Sequence, residues 1–542
     1  MINGKFTVPL PANEPVKTYA PGTAERDEIK IELEREKKEQ IEIPCIIGGK
    51  EIKTGNIHTC VLPHDHRTVI GNYHAAGKKE VQEAIIAAHE AWKEWASYEW
   101  HERAAVVLKA ADLLSGPWRQ RINAACMLAQ SKNVFQAEID AACELIDFFR
   151  FNTYFAMKIF EEQPLHSSSG IWNRVDYRPL EGFVFAVTPF NFASIAGNLS
   201  SSPAIMGNTI LWKPASNAVY TAYQIMKLFQ EAGFPDGVIN FIPGSGSVVG
   251  PEVLLSSDLA GVHFTGSTPT FQSIWQTVGT NIRNYRSYPR IVGETGGKDF
   301  IIAHKSADVS VLGTALIRGA YEYQGQKCSA VSRAYIPKSL WGNLSDFIAG
   351  ELKSIQIGDV DDFSNFMNAV IDEPAFDKIS NYIQGARDSE EAEIVVGGDC
   401  DKGTGYYIQP TVILTQNPHF TTMEEEIFGP VLTVYLYEDD EYEQALHLCN
   451  ETSPYGLTGA VFSTERGAIA MAERILLHAA GNFYINDKPT GAVVGQQPFG
   501  GSRASGTNDK AGSVLNMVRW TSPRAVKENF APPSDYRYPF MD

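Results

Sequence analysis

Short apolar segments alternate with amphipathic ones through the middle of the chain, beginning at Gly182. The apolar segments predict strands at 183–188, 208–213, 238–243 and 262–265, and the amphipathic ones predict helices at 192–206, 218–232, 248–255 and 268–278. Strands that are apolar throughout are buried on both faces, and the helices between them cover those faces. The pattern predicts an α/β fold with a parallel, doubly wound sheet, which binds ligands at the carboxyl ends of its strands.

A second α/β region is predicted to begin near Gly297. Its strands are expected at 300–303, 333–337, 394–396, 431–437, 458–462 and 481–485. Ahead of both regions, helical spacing covers 78–160 and includes a long amphipathic helix at 136–151. The polar run 163–174 is expected to form a hairpin or arm, and the aromatic, strand-like tail 519–542 to pair with it in this subunit or another.

Length and charge exclude several classes of protein. A chain of 542 residues is too long for one ordinary core, so two or more domains are expected. The net charge of −18 argues against nucleic acid or an anionic membrane as a partner, because both require clustered basic residues. Without an apolar run of about 18 residues or a targeting pattern at the N-terminus, we expect a soluble cytoplasmic protein.

The seven cysteines are widely spaced and form no C-x-x-C pair, so they predict neither a disulfide framework nor a zinc site. His64 and His66 stand close together, but no cysteine or third histidine is near them in the sequence. We interpret this pair as part of a surface turn, and no metal is expected.

Cys328 is the candidate nucleophile. It lies in the run Gly-Gln-Lys-Cys-Ser, between a helix predicted to end at Gly325 and a strand that follows. A thiol in a small, polar, glycine-flanked loop can be reached by a substrate, and a thiolate is a strong nucleophile.

Two further residues follow predicted strands and could assist this chemistry. Glu294 precedes two glycines and is a candidate general base, although such a glutamate is usually a turn residue. Asn191 could donate to a developing oxyanion, although the same residue could form an Asx turn or cap the helix that follows.

Glycine-containing turns suggest a nucleotide site. The run 243–250 follows a strand and opens a helix, so that Gly246 and Gly250 would let phosphate approach the backbone. Its spacing is G-x-G-x-x-x-G, and a plain glycine-rich turn is the alternative. A second such turn carries Gly266 and Ser267, where the serine could cap the next helix. Lys213 ends a third strand, from which its amine could reach ribose or phosphate.

Taken together, these stretches resemble the aldehyde dehydrogenase superfamily. The matching runs follow the family's order over roughly residues 40–520; they are Pro-Phe-Asn-Phe at 189–192, Trp-Lys-Pro at 212–214, Phe-Thr-Gly-Ser at 264–267, Glu-x-Gly-Gly-Lys at 294–298, Gly-Gln-x-Cys at 325–328, Glu-Ile-Phe-Gly-Pro at 426–430 and Pro-Phe-Gly-Gly at 498–501. The runs 138–151, 325–330 and 491–509 are most similar to the Δ1-pyrroline-5-carboxylate dehydrogenase branch, which oxidises glutamate γ-semialdehyde.

The resemblance implies a role for each matching residue. Cys328 would attack the aldehyde, Asn191 would hold the oxyanion, and Glu294 would activate water. The residues matching cofactor positions are Thr188, Pro189, Lys213, Ser216, Gly246, Gly250, Thr265, Gly266, Ser267, Glu426 and Phe428, of which Glu426 would hold the nicotinamide ribose. Those matching substrate positions are Glu144, Phe192, Lys327, Ser329, Gly491, Ala492 and Phe499.

NAD is the implied cofactor, with NADP a weaker alternative. Many members of the family carry a glutamate three residues after the ribose lysine, where this chain has Ser216. A neutral residue there repels a 2′-phosphate less. The alternatives for the reaction are oxidation of another aldehyde such as succinate semialdehyde, coenzyme A-dependent acylation, and a silent binding protein on the same fold.

The resemblance also implies an organisation into domains. Residues 1–161 and 187–296 would form the NAD-binding domain with an N-terminal arm, 297–503 the catalytic domain, and 162–186 with 519–542 an oligomerisation arm. At least a homodimer is expected. Transient contact with a proline dehydrogenase is a further hypothesis.

Overall fold

The computed structural model describes residues 5–541; residues 1–4 and 542, at the ends of the two predicted arms, lie outside the described residues. The α-helices are Ala24–Lys38, Lys78–Trp95, Trp100–Ser115, Arg119–Gln130, Val134–Ala137, Leu145–Glu161, Ala193–Ile205, Val219–Ala232, Gly246–Leu254, Thr268–Thr280, Val309–Tyr321, Lys338–Ser354, Glu373–Arg387, Thr421–Glu424, Tyr442–Glu451, Arg466–Ile475 and Val514–Val518. A π-helix spans Glu138–Glu144, and short 3₁₀ segments span Ser216–Ala218, Glu322–Gly325 and Pro539–Met541.

The predicted doubly wound sheet is present. In spatial order its strands are Arg290–Glu294, Leu259–Thr265, Phe183–Val187, Thr209–Lys213, Ile239–Phe241, Cys45–Ile47 and Lys50–Ile52. The first five are parallel, and the last two pair antiparallel at one edge. Alternate side chains of Phe183–Val187 enter two separate cores: Val184 and Ala186 enter one, and Phe183 and Phe185 the other. Helices therefore cover both faces of this sheet.

The second sheet is also mostly parallel. Its strands in spatial order are Ala392–Val396, Thr411–Thr415, Val431–Tyr437, Val331–Pro337, Asp299–Ala303, Thr458–Phe462 and Asn482–Ile485. The strand Thr411–Thr415, a short apolar run directly after Pro410, was not predicted from the sequence. Its neighbour Ala392–Val396 is the antiparallel edge strand.

Smaller sheets complete the chain. Ile41–Ile43, Asp65–His74 and Ile57–Leu62 form a three-stranded sheet, and two-residue ladders join Cys400–Asp401 to Tyr407–Ile408 and Tyr455–Gly456 to Ser502–Arg503. Ile171–Arg178 pairs antiparallel with Ser522–Asn529, so the two predicted arm segments meet within this chain. Beyond Asn529 the proline-containing tail forms no strand up to Met541. Within residues 5–541, no helix has both the length and the apolar character needed to cross a bilayer.

Two predicted helices differ in detail. The single helix expected at 136–151 is a composite in which a π-helical turn joins two α-helical parts and the second part continues to Glu161. Such turns often mark functional sites. The helix expected to end at Gly325 ends at Tyr321, because Tyr323 and Gln324 adopt left-handed backbone angles, with φ of 52° and 54°.

Candidate active site

A tight turn presents Cys328. Gly325 also has positive φ, and a Cβ there would lie 2.2 Å from the carbonyl oxygen of Gly429, so only glycine fits. The turn places Cys328 just before the strand Val331–Pro337. Cys328 is only 9% exposed, so it is more enclosed than the freely reachable thiol that the sequence suggested.

The surroundings of Cys328 favour the neutral thiol. Burial, followed by the nearby carboxyl groups of Asp299, Glu426 and Glu294, raises the pKa of the thiol above its ordinary value. These surroundings therefore oppose formation of the reactive thiolate at Cys328.

Asn191 lies beside residues 325–330, the loop that carries the candidate nucleophile and is named the nucleophile loop for that reason. Its amide Nδ2 donates to the carbonyl oxygen of Gln326 over 3.1 Å, and the side chain is 3% exposed. Thr188, at the start of the loop that contains Asn191, accepts a hydrogen bond from the indole of Trp212 over 3.0 Å. Since an amide nitrogen carries two N–H groups, one remains for an oxyanion at Cys328.

Asp140, which was not predicted as a site residue, holds the other side of the loop that contains Asn191. Its two carboxylate oxygens accept from the backbone N–H groups of Ala193 and Ser194, both over 2.9 Å. The same carboxylate pairs with Lys132 at 2.5 Å, and both side chains are buried. Asp140 carried no distinguishing signal in the sequence, because it is one of several acidic residues in the helical pattern 136–151, beside Glu138, Glu144 and Asp147.

Glu294 ends the strand Arg290–Glu294 and is enclosed by a glycine-rich loop. Its carboxylate accepts from the N–H of Gly501 over 3.0 Å. A Cβ at Gly500 would lie 2.8 Å from the same carboxylate, and one at Gly506 would lie 3.0 Å away. Burial raises the pKa of Glu294 well above its ordinary value, against the lowering effects of the Gly501 N–H and Lys510. Its proton affinity therefore suits a general base.

Gly296 and Gly297, which follow Glu294 and Thr295, lie between the predicted ribose-binding residue Glu426 and the candidate nucleophile Cys328. The N–H of Gly297 donates to Glu426 over 2.9 Å. A Cβ at Gly296 would lie 2.3 Å from the Glu426 carboxylate, and a Cβ at Gly297 would lie 2.3 Å from the carbonyl oxygen of Cys328. The backbone can pass between these groups only because both residues are glycine.

The predicted phosphate turn fits a dinucleotide. Lys213 is buried, its ammonium donates to the carbonyl oxygen of Pro214 over 2.9 Å, and burial lowers its pKa to about 8. A Cβ at Gly246 would approach only the Lys213 side chain, at 3.8 Å, and one at Gly250 would meet open space. The N-terminus of the helix Gly246–Leu254 thus has room for phosphate next to a buried amine.

The second turn differs slightly from expectation. Ser267 stands at the N-terminal cap position of the helix Thr268–Thr280, but its hydroxyl bonds that of Thr270 over 2.8 Å and makes no cap bond. Thr265 ends its strand, and the N–H of Gly266 donates to the carbonyl oxygen of Glu294 over 3.2 Å. The cofactor turn and the candidate base therefore share a hydrogen bond.

The remaining predicted cofactor residues lie around these turns. Phe428 has a positive φ of 64° and packs edge to face on Phe190, which follows Pro189, with ring centroids 5.7 Å apart. Ser216 is exposed in the short segment Ser216–Ala218.

Predicted substrate residues flank Cys328 on both sides in the chain. The Ser329 hydroxyl bonds that of Thr490 over 2.8 Å, directly before Gly491 and Ala492. Lys327 is buried and pairs with Glu322 at 3.0 Å. The loop that was predicted to grip the substrate carboxylate is thereby joined to the nucleophile loop. Thr490 was not predicted, because a hydroxyl partner has no sequence signature.

Glu144, Phe192 and Phe499 were also predicted to contact substrate. Glu144 accepts from the Ser194 hydroxyl over 3.0 Å, and burial raises its pKa to about 8. The Lys132 ammonium lies 4.7 Å from the centre of the Phe192 ring. Phe499 exchanges two backbone hydrogen bonds with Ala511, of 3.0 and 2.7 Å.

The histidine pair does not form a common site. His64 lies in a turn, as predicted, but it is buried and bonds the hydroxyl of Ser131 over 3.2 Å, so the predicted surface position is wrong for this residue. His66 bonds the carbonyl oxygen of Lys402 over 3.0 Å. Among residues 5–541, no group of three or more His, Cys, Asp or Glu side chains is arranged to hold a metal.

Comparison with curated proteins finds relatives along the whole chain. The Δ1-pyrroline-5-carboxylate dehydrogenase of Dictyostelium discoideum is 52% identical over 539 residues, which are 99% of this chain and 97% of that protein. It is named as mitochondrial, as are the relatives from Danio rerio, Bos taurus and Homo sapiens. The cytoplasmic location expected from the sequence is therefore wrong, since these names point to the mitochondrion.

Comparison with solved structures also finds proteins that match this chain along nearly its whole length. The Δ-pyrroline-5-carboxylate dehydrogenase of Mycobacterium tuberculosis bound with NAD has a TM-score of 0.96 at 51% identity, and all of each chain is covered. Proline utilization A of Bdellovibrio bacteriovorus has a TM-score of 0.91 at 30% identity over 96% of this chain and 54% of that one. The model of the aldehyde dehydrogenase family matches residues 52–526. The resemblance predicted from the sequence is confirmed, and this chain belongs to the aldehyde dehydrogenase family.

Proposed function

We propose that this chain is an NAD-dependent dehydrogenase that oxidises L-glutamate γ-semialdehyde to L-glutamate, a step of proline degradation. The observation that carries the proposal is the 2.8 Å bond between the hydroxyls of Ser329 and Thr490. It joins the nucleophile to the loop proposed to bind the α-carboxylate, so that one element does the chemistry while its neighbour selects an amino-acid aldehyde. The relatives named above, one of them solved with NAD, support the same reaction.

Catalysis begins at Cys328. The Cys328 thiol first loses its proton to solvent; its thiolate sulfur then attacks the aldehyde carbon, and the carbonyl π electrons move to oxygen. The free N–H of the Asn191 amide and the backbone N–H of Cys328 donate to that oxyanion. Because Asn191 is already held by Gln326, little reorganisation is needed when charge develops.

NAD would supply the acceptor for the hydride that leaves the carbon atom, after which a thioester remains on Cys328. We propose that Thr188, Pro189, Lys213, Ser216, Gly246, Gly250, Thr265, Gly266, Ser267, Glu426 and Phe428 hold the cofactor. The open space at Gly246 and Gly250 and the buried amine of Lys213 support this assignment.

Glu294 completes the cycle. Its carboxylate takes a proton from water as the water oxygen attacks the thioester carbon. The carbon–sulfur bond then breaks, which releases glutamate and regenerates Cys328. Burial within the 500–506 loop gives Glu294 the raised proton affinity that this step requires.

The substrate is proposed to contact residues on two sides. Ser329, Gly491 and Ala492 would bind its α-carboxylate, and the rings of Phe192 and Phe499 would enclose its methylenes. Glu144 and Lys327 would line the same pocket. A pocket with an arginine at the substrate carboxylate would suit succinate semialdehyde better. Arg503, the arginine of the 491–509 loop, donates instead to the backbone and side-chain oxygens of Asn450, over 2.8 and 2.7 Å.

A substrate panel tests the proposal. We expect kcat/KM for glutamate semialdehyde to exceed that for acetaldehyde or succinate semialdehyde by orders of magnitude, with NAD preferred over NADP. Equal rates for all three aldehydes would reduce the function to general aldehyde oxidation. Activity that depends on coenzyme A would favour acyl transfer instead.

We also propose the domain division 1–161 with 187–296, 297–503, and 162–186 with 519–542, and an assembly of at least two chains. The arm sheet supports assembly: Leu165 is 89% exposed, Trp172 is 52% exposed, and a cleft of about 540 Å³ is lined by this arm. Light scattering of wild type and Trp172→Glu tests this assembly, since a wild-type monomer would contradict the proposal.

Contact with a proline dehydrogenase is proposed from the match to proline utilization A, and co-sedimentation of the two proteins tests this contact.

A further inference from the structure

One side chain near the N-terminus anchors the loop 492–497. Within residues 5–541, the hydrogen bonds that leave this loop all go to Asn13. The Nδ2 of Asn13 donates to the carbonyl oxygen of Val494 over 2.8 Å, and its Oδ1 accepts from the Gln496 amide over 2.9 Å. The other hydrogen bonds of the loop stay inside it and join Val493 to Gln496 and Gln497.

Asn13 is itself fixed to the protein body. Its Nδ2 also donates to Asp147 over 2.8 Å, and the backbone N–H of Glu14 donates to the second oxygen of Asp147 over 2.7 Å. The Glu14 carboxylate pairs with Arg119 at 2.6 Å and Arg150 at 2.7 Å. The Asn13 side chain thus uses both amide hydrogens and its oxygen to bridge the helix Leu145–Glu161 and the loop.

Packing alone does not define the loop. Val494 is 6% exposed, and a Cβ at Gly495 would lie 2.1 Å from the Phe151 ring, so the loop lies closely on the same helix. These apolar contacts hold it against the helix without directing its backbone groups. At the other end, Thr490 is bound to Ser329. Gly491 and Ala492 therefore lie between two polar anchors, one on the nucleophile loop and one at Asn13.

We propose that Asn13 is a positioning residue. By fixing the loop 492–497 it holds Gly491 and Ala492 in place for the substrate carboxylate, and so sets selectivity for an amino-acid aldehyde. The inference rests on the proposed function, which gives Gly491 and Ala492 the α-carboxylate. A loop held in its binding conformation loses less entropy when substrate arrives. An aldehyde without a carboxylate does not use the loop, so only the charged substrate gains.

The test compares Asn13→Ala with wild type on glutamate semialdehyde and on propionaldehyde. We expect KM for glutamate semialdehyde to rise about tenfold, since each lost hydrogen bond contributes a few-fold. Both kcat and the kcat/KM for propionaldehyde should stay within about twofold. Gln496→Ala, which removes one of the three bonds from an exposed residue, should give a smaller rise and remains informative if Asn13→Ala does not fold.

Leu10→Ala is the control, because Leu10 is 80% exposed in the same N-terminal segment, and it should match wild type. Unchanged KM for glutamate semialdehyde in both loop variants, or equal losses on the two aldehydes, would overturn the inference while the proposed function stands. A wild-type enzyme without preference for glutamate semialdehyde would overturn the proposed function and this inference with it.

Discussion

The side-chain amide of Asn191 donates to the carbonyl oxygen of Gln326 over 3.1 Å. This bond joins the loop after the strand Phe183–Val187 to the loop that carries Cys328, although the two residues are 135 positions apart. The proposed oxyanion donor and the proposed nucleophile are therefore held by one buried contact. Substitutions that disturb either loop should therefore slow the same chemical step, the attack of Cys328 on the aldehyde.

Replacing Asn191 should slow chemistry without changing cofactor binding. Asn191→Asp preserves shape but replaces an N–H donor with a carboxylate that repels the oxyanion. We expect kcat to fall by about 10²–10³, the usual effect of removing one such donor. Steady-state NADH formation measures it, and titration of NAD binding should be unchanged. Asn284→Asp, at an exposed asparagine, is the control; wild-type kcat in Asn191→Asp would contradict the assigned role.

Removing the nucleophile should separate binding from catalysis. Cys328→Ala is expected to abolish NADH production while NAD still binds, because the cofactor residues lie on other loops. Cys400→Ala replaces an exposed cysteine and should keep full activity. An active Cys328→Ala enzyme would disprove the covalent mechanism.

Glu294→Gln should stop the cycle after hydride transfer. Without a base the thioester persists, so we expect a burst of about one NADH per site and then turnover reduced about 10²-fold or more. Stopped-flow NADH absorbance measures the burst. Glu393→Gln, at an exposed glutamate, provides the control. A variant with neither a burst nor slower turnover would remove Glu294 from the mechanism.

The pKa of Glu294 predicts how the rate and the stability depend on pH. Because burial holds the folded pKa well above the ordinary value, the base form is populated only as pH rises through that folded pKa. Thioester hydrolysis in wild type should therefore accelerate with rising pH. The effect of pH on stability is opposite to its effect on the rate. Protonated Glu294 contributes to the free energy of unfolding at low pH, and this contribution is lost as pH rises through the folded pKa. At alkaline pH, Glu294→Gln should therefore unfold at a higher temperature than wild type, and an equal or lower midpoint would contradict this.

Sequence patterns predicted what local chemistry determines. The doubly wound sheet followed from apolar strands alternating with helices, and Cys328, Glu294 and Asn191 stood out because each follows a strand or a turn-forming run. The strand Thr411–Thr415 was missed, since five apolar and threonine residues give too short a periodic signal. Three hydrogen bonds were also not predicted; they join Asp140 to Ala193, Thr490 to Ser329 and Asn13 to Val494. Each joins segments brought together only by the fold, and no spacing along the chain encodes it.

Asp140 and Lys132 should matter as a pair. Both are buried, 2.5 Å apart, and the Asp140 carboxylate also holds the first N–H groups of the helix after Asn191. Asp140→Ala leaves a buried ammonium without its partner, so we expect a loss of about 3–5 kcal/mol in unfolding free energy. The reaction rate with propionaldehyde should fall as well, since the Asn191 loop loses its support. Adding Lys132→Met removes the unpaired charge and should restore part of the stability but not the rate. Urea unfolding and kcat measure the two effects; a double variant whose stability loss equals the sum of the single losses would show that the residues act independently.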